Sequence, residues 1–314
     1  MQIFYFCFDR ANSVFLSLPS VIKVANSLQA ELIIVADGAK NDNKYEVENT
    51  RSIISEVLKN EFYEIEITKY FREKNYGLKR SILGALYDHL SKKDNDIFVV
   101  IEDDIIINDD FLNLISNFKN QDSAKIQQFS GWFWPIDSSQ MWLKNDLYFN
   151  SQFVSCWAWG SRNSIFLEFL EQIENSKLFL SDITWKQYLK ITHNLTTARF
   201  SMQLVNNIVG RRQTWAIYWY LFFIKSEYLS LYPAKNCIKN IGLTEGTNYS
   251  VGDRLIVETI KNESEGKIGI ADSADNYLKL YFAALESWHI KFINLVIFIC
   301  LKFSYVLFKI RIIK

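Results

Sequence analysis

Three carboxylates, Glu102-Asp103-Asp104, directly follow the apolar run Phe98-Val99-Val100-Ile101. Adjacent acids raise one another's pKa values unless a cation shares their charge. Hard oxygen ligands of this kind suit Mg²⁺ or Mn²⁺, and Mg²⁺ is commonly held by one or two carboxylates completed by substrate phosphates. The plain alternative is a solvated acidic loop that caps a helix near Asn108–Asp110. Upstream, Asn75 and Gly77 supply turn chemistry ahead of Leu78, and the helix expected there offers N–H groups and a positive dipole end to an anion. Lys79 or Arg80 adds charge at that point, although a solvated basic helix start reads equally well.

The elements that position these residues alternate as βαβ units do. Strands are expected at Ile3–Phe8, Glu31–Ala36, Phe62–Thr68 and Asp96–Ile101. Helices are expected at Asn12–Leu28, Asn43–Lys59 and Leu78–Leu90, with Pro19 kinking or dividing the first. In such a sheet the carboxyl end of the Asp96–Ile101 strand is where ligands bind, which puts the acidic triplet at a site. From about residue 121 aromatic segments take over. Gln127–Pro135 and Phe153–Gly160 read as strands, Arg162–Asn175 as a helix, and Ser176–Arg212 as a mostly helical lid or acceptor region.

Composition narrows the function classes. Lys+Arg and Asp+Glu both number 35 in 314 residues, so no global charge argues for nucleic acid. Aromatic residues make up 16%, and flat rings with one polar edge suit sugar faces, membrane interfaces and plain cores alike. The four cysteines are widely spaced, without the pairing of a metal site, and read as buried apolar side chains. Met1–Phe8 lacks a basic leader and reads as a first strand, which implies a cytoplasmic protein.

Near the end of the chain, Lys291, Asn294, Lys302, Tyr305 and Lys309 form one helical stripe among Phe, Ile, Leu and Val. A charge at the centre of a spanning helix costs roughly 2.5 to 3.5 kcal/mol, whereas a helix lying flat keeps its amines among lipid phosphates. An amphipathic anchor at the inner face of the cell membrane is therefore expected, with a terminal helix packed on protein as the alternative.

In combination these motifs resemble the bacterial GT-A glycosyltransferases related to animal N-acetylglucosaminyltransferase I, over roughly residues 1–250. The matching segments are Glu102-Asp103-Asp104 with Asp110-Phe111, Ala36-Asp37-Gly38, the Asn75–Gly77 loop, Ser130-Gly131-Trp132-Phe133 and Cys156-Trp157-Ala158-Trp159-Gly160. Thr214–Trp219, Leu231-Tyr232-Pro233 and Asn240-Ile241-Gly242 match the bacterial branch.

The resemblance implies an α/β GT-A fold, Rossmann-like in its nucleotide-sugar-binding half (1–120). An acceptor-binding and catalytic half of the same domain (121–250) and a membrane-associating helical extension (251–314) complete the expected organisation. By the same resemblance Asp104 ligates Mn²⁺ or Mg²⁺, Asp103 bonds the ribose, Glu102 meets the donor sugar and Asp37 lies beside the nucleobase. Arg10, Asn75 and Lys79 attend the nucleotide, and Trp132 and Trp159 form the floor beneath the sugars.

The chain departs from the family where animal relatives carry a catalytic Asp, having Ala216, Ile217 and Tyr218 instead. The general base is therefore open, with Asp182 and Glu245 as candidates by elimination. Gly246-Thr247-Asn248 ends in Asn where related enzymes often place a His.

The expected activity is metal-dependent transfer of a hexosyl or N-acetylhexosaminyl group from a nucleotide-diphosphate sugar, UDP-linked by resemblance, to a hydroxyl of a surface glycan or lipid-linked acceptor. One alternative is a sugar nucleotidyltransferase, although Phe8-Asp9-Arg10-Ala11-Asn12 has no glycine for its phosphate loop. Another is a non-catalytic, membrane-bound glycan-binding scaffold. The anchor is directly testable. Neutralising Lys291, Lys302 and Lys309 to Gln in the full chain is expected to weaken sedimentation with anionic vesicles by about 3 kcal/mol, on the scale of about 1 kcal/mol per basic residue. Unchanged sedimentation would mean that the helix packs on protein.

Overall fold

The structure is a computed structural model that describes residues 1–40, 42–90, 97–134, 147–174, 207, 214–242 and 296. Six wholly buried residues form β1 (Gln2–Cys7), which pairs in parallel with β2 (Glu31–Ala36) on one side and β4 (Ile97–Glu102) on the other. Outside β2 lies β3 (Ile67–Phe71), again parallel. Beyond β4 the direction changes: β8 (Trp159–Arg162) runs antiparallel to β4 and to β6 (Ile126–Ser130). The sheet continues through β9 (Leu229–Pro233) to β7 (Tyr148–Ser151), giving eight strands in the order β3-β2-β1-β4-β8-β6-β9-β7. A separate ribbon pairs β5 (Ile105–Ile107) with β10 (Ile238–Asn240). A parallel half thus passes into a mixed one, the α/β class expected from the sequence.

Alternation along β1 sends Ile3, Tyr5 and Cys7 to one face and Phe4 and Phe6 to the other. The first face is covered by α1 (Ala11–Leu28), α2 (Lys44–Asn60) and α4 (Asp110–Lys119). The second is covered by α3 (Gly77–Leu90), α5 (Asn163–Glu174) and α6 (Ala216–Ser226). Residues 217–224 of α6 are all buried, as befits a helix apolar on every side.

Several expected boundaries are corrected. Helix α1 is not divided at Pro19. The carbonyl that Pro19 leaves without its helical donor belongs to Phe15, whose residue is 54% exposed, while Val14, Leu18, Val21 and Ile22 anchor both sides of the proline in the core. The third strand begins at Ile67, not Phe62, because the Asn26 side chain holds the preceding loop by donating to Phe62 O (2.8 Å) and accepting from Glu64 N (3.0 Å).

The aromatic segments shift in the same way. Of the strand expected at Gln127–Pro135, whose last residue lies outside the described ones, residues 127–130 belong to β6, and Phe153–Gly160 is not one strand: residues 153–158 link β7 to β8, which begins at Trp159. Its backbone bonds to side chains in place of a ladder: Tyr232 Oη donates to Phe153 O (2.6 Å) and accepts from Ser155 N (2.9 Å), and Gln128 Nε2 donates to Ser155 O (2.8 Å). Apart from Asn207 and Val296, the expected helices at Ser176–Arg212 and in 251–314 lie outside the described residues.

Gly160 is required where β8 passes between β4 and β6, since a Cβ there would meet Phe98 O at 2.4 Å and the Phe129 ring at 2.5 Å. Gly160→Ala is therefore expected to destabilise the fold by about 1 to 3 kcal/mol, the usual range for overpacking, read as a lower urea midpoint with an unchanged slope.

Candidate functional site

Strand order reverses between β1 and β4, because β2 and β3 are added on one side of β1 and the chain then returns to place β4 on the other, so the carboxyl ends of β1 and β4 form the crevice where open α/β sheets bind ligands. Arg10 stands just past β1 and the acidic triplet closes β4. The Arg10 guanidinium bridges both aspartates, with Nη2 3.1 Å from Asp103 Oδ1 and Nη1 2.9 Å from Asp104 Oδ2. Asp103 also accepts the Phe8 N–H at 3.3 Å, and its carbonyl accepts the Ser17 hydroxyl at 2.8 Å.

Burial sets the electrostatics. The Asp103 side chain is only 3% exposed, and desolvation pushes its carboxyl up to about 7 against the opposing pull of Arg10. Glu102 is driven to about 8 by burial and then by the neighbouring Asp104 and Asp103. Burial disfavours the Arg10 charge, but the two aspartates outweigh it and raise the guanidinium pKa. Three acids share one guanidinium, and the raised pKa values of Glu102 and Asp103 mean that ionising all three together calls for a further cation in the crevice.

Asp104 is the more open aspartate, with its side chain 16% exposed. Its carbonyl accepts the Ile241 N–H at 2.8 Å, and Gly242 lies directly against its carboxylate. A Cβ on residue 242 would fall 2.3 Å from Asp104 Oδ2, so only glycine leaves this cradle open. The arrangement fits a divalent ion held by one carboxylate and completed by a ligand's phosphate oxygens. Among the described residues there is no group of three or more His, Cys, Asp or Glu that would cage a metal by themselves.

At the end of β2, Asp37 is 5% exposed and its carboxylate accepts the N–H groups of Gly38 (3.0 Å), Tyr76 (3.0 Å) and Gly77 (2.9 Å). The anion expected at the start of α3 is therefore supplied by the chain itself. Asn75 Nδ2 donates to Gly38 O at 2.9 Å, and a Cβ on Gly38 would collide with the Lys74 backbone at 2.4 Å. Asp37, Gly38 and Asn75 thus clasp two loops together. Arg72 turns inward to Ser81, bonding its hydroxyl (2.9 Å) and carbonyl (3.2 Å). Lys79, half-buried, sits over the Tyr218 ring at 5.6 Å, and desolvation followed by Arg80 lowers its pKa.

The tryptophans separate. Trp159 is 0% exposed, packed edge-on to Phe98 (5.3 Å, 84°) and against Trp215 and Trp219, so it is a core residue and cannot form a sugar floor. Trp132 is half-buried, and beside it stands Trp157, which sequence reading passed over in favour of its neighbour. In an unbroken strand residues 157 and 159 share a face, but Ala158 has φ +43° and Trp157 packs towards the cluster opposite the one holding Trp159. No sequence signal marks a left-handed Ala, although the Gly242 cradle lay within a quoted motif. Asp182 and Glu245 lie outside the described residues.

No family model and no curated protein matches this sequence. Among solved structures, S. aureus TarS 1–349 in complex with UDP-GlcNAc shares 15% identity over 54% of this chain and 47% of that one, with a TM-score of 0.34. Mouse xyloside xylosyltransferase 1, apo form, shares 10% over 41% and 51% (TM-score 0.29). Glucosyl-3-phosphoglycerate synthase from Mycobacterium tuberculosis, in complex with Mn²⁺, UDP and phosphoglyceric acid, shares 12% over 52% and 56% (TM-score 0.29). The chain spans about half the length of these structures.

Removing one partner of a buried ion pair leaves an uncompensated charge, at a cost of about 3 to 5 kcal/mol. Arg10→Met is expected to fall near the low end of that range because Arg10 is 26% exposed. Adding Asp103→Asn should recover a large part of the loss, a coupling that urea denaturation of the two single variants and the double variant would measure.

Proposed function

We propose that this chain is a metal-dependent glycosyltransferase that moves a sugar from a nucleotide-diphosphate donor, UDP-linked in our reading, to a hydroxyl of a surface glycan or lipid-linked acceptor. The supporting observation is the acidic crevice between β1 and β4, where Arg10 offsets only part of the charge of Glu102, Asp103 and Asp104. A diphosphate ester entering that crevice requires a cation between itself and the carboxylates. The carboxylates in turn require one to remain ionised side by side.

In this reading Asp104 and the space kept by Gly242 hold Mn²⁺ or Mg²⁺. The ion supplies Lewis-acid neutralisation of charge developing on the leaving diphosphate. Asp103, 3% exposed and held by Arg10 and the Phe8 N–H, is too enclosed for the ribose contact that the resemblance implied and instead positions Arg10 beside Asp104, which leaves the half-buried Glu102 to meet the donor sugar. Lys79 lies at the start of α3, within the loop group that Asp37 and Asn75 hold at the same edge of the sheet. The acceptor hydroxyl gives up its proton to a base for which Asp182 and Glu245 are the candidates. The amphipathic stretch near the end of the chain holds the enzyme at the inner face of the membrane that carries the acceptor. Among the described residues, no helix is long and apolar enough to cross a membrane.

Asp104→Asn keeps the side-chain volume against Gly242 but removes the charged oxygen. It is expected to leave the thermal midpoint within a few degrees of wild type and to lower Mn²⁺-dependent hydrolysis of a UDP-sugar at least a hundredfold, about 2.7 kcal/mol, the scale of losing one electrostatic stabiliser. Undiminished turnover would overturn the assignment.

A further inference from the structure

The Arg10 guanidinium already occupies the oxygen that a divalent ion would need. Arg10 Nη1 lies 2.9 Å from Asp104 Oδ2, and the space kept open by Gly242 borders that same oxygen, where a Cβ on residue 242 would fall at 2.3 Å. The turn that carries Asp104 is fixed on two sides. Ile241 N–H donates to the Asp104 carbonyl at 2.8 Å, and the buried Ser17 hydroxyl donates to the Asp103 carbonyl at 2.8 Å. The backbone therefore cannot carry the carboxylate away from Arg10. A guanidinium and a divalent cation on one oxygen repel each other, so one of them must give way.

Arg10 is the group able to move. Its side chain is partly exposed and borders a cavity of about 280 Å³ between the starts of α1 and α2, lined also by Asn12, Tyr45 and Asn49. Its two ion pairs are made by different nitrogens, Nη1 to Asp104 and Nη2 to the enclosed Asp103. The first can break while the second holds. A guanidinium pivoting on Asp103 turns its freed N–H groups towards whatever acceptor enters the crevice, and phosphate oxygens match that planar fork. A bare cation gives those N–H groups only water in exchange for Asp104, whereas a cation arriving with a diphosphate brings charged acceptors for them.

We propose that Arg10 is a resident counter-ion that withholds Asp104 from a free divalent cation and releases it when a nucleoside diphosphate supplies replacement acceptors. The glycosyltransferase reading provides the diphosphate; the added element is that cation binding is conditional on it through Arg10. By linkage the dependence runs both ways, and the cation strengthens diphosphate binding by the same factor.

Electron paramagnetic resonance of free Mn²⁺, titrated with the full chain, tests the gate without nucleotide. The informative variant combines Arg10→Met with Asp103→Asn. It removes one charge of each sign, so a change in Mn²⁺ affinity reports the released Asp104 oxygen and not a change in local net charge. It also spares the fold an unpaired buried carboxylate, and its thermal midpoint checks that it is folded. Expected is Mn²⁺ binding about tenfold tighter than wild type, within the usual range of coupling between sites, and lost again when Asp104→Asn is added. Calorimetry with UDP is expected to show a larger gain from Mn²⁺ in wild type than in the double variant. A folded double variant that binds Mn²⁺ no more tightly than wild type overturns the proposal, as does Mn²⁺ binding undetected in both. Should the double variant not fold, Arg10→Lys takes its place, because one ammonium cannot span both aspartates; unchanged Mn²⁺ affinity there overturns the proposal equally. UDP that fails to bind wild type even with Mn²⁺ overturns the diphosphate half of the proposal together with the glycosyltransferase reading, whereas failure of the Mn²⁺ titration alone leaves that reading standing.

Discussion

The site depends on one ion-pair group: a single guanidinium, on the loop after β1, divided between two carboxylates at the end of β4. Those strands are neighbours in the sheet although the residues are more than ninety positions apart in sequence. Without Arg10, Asp103 would be a buried acid supported mainly by the Phe8 N–H, and burial already raises its pKa to about 7. The pair does not simply add stability, since desolvating charges costs much of what their attraction returns. Its value lies in geometry, because it ties the two strand ends on either side of the crevice and leaves Asp104 the more open acid.

A second carboxylate does comparable work through backbone N–H groups. Asp37 takes three backbone N–H groups, and with Asn75 it joins the loop after β2 to the start of α3. Hydrogen bonds to a charged acceptor are stronger than neutral ones, and here they fill the helix terminus that otherwise invites an external anion. The two clasps, with Gly38 and Gly242 permitting close approach, arrange the edge of the sheet before any ligand arrives. Such preorganisation is what electrostatic catalysis requires, because groups already in place need no rearrangement during reaction.

The second half of the chain supplies a different surface by a different means. Its strands are short, and buried side chains such as Tyr232, Gln128 and Ser130 bond the backbone between them. That backbone is free to depart from strand geometry, and at Ala158 it does. Two tryptophans one residue apart thereby reach opposite destinations, Trp159 the core and Trp157 the rim.

What the sequence determined by itself was local. Continuous apolar runs marked β1, β2 and β4, because strands buried on both faces need side chains of one kind throughout. Helical periodicity marked α1 to α3, and the position of Glu102–Asp104 behind a buried strand followed from the same run. Tertiary structure decided what depended on partners distant in the chain. Asn26 moved the start of β3, core contacts on both sides carried α1 through Pro19, and α6 was hidden because a helix buried all round has no polar face to reveal its period. The role of Arg10 as counter-ion and the exchange of Trp159 for Trp157 belong to the same class. A residue's type limits which bonds it can make, but only the folded chain brings the partner within 3 Å and sets the dihedral that aims the side chain.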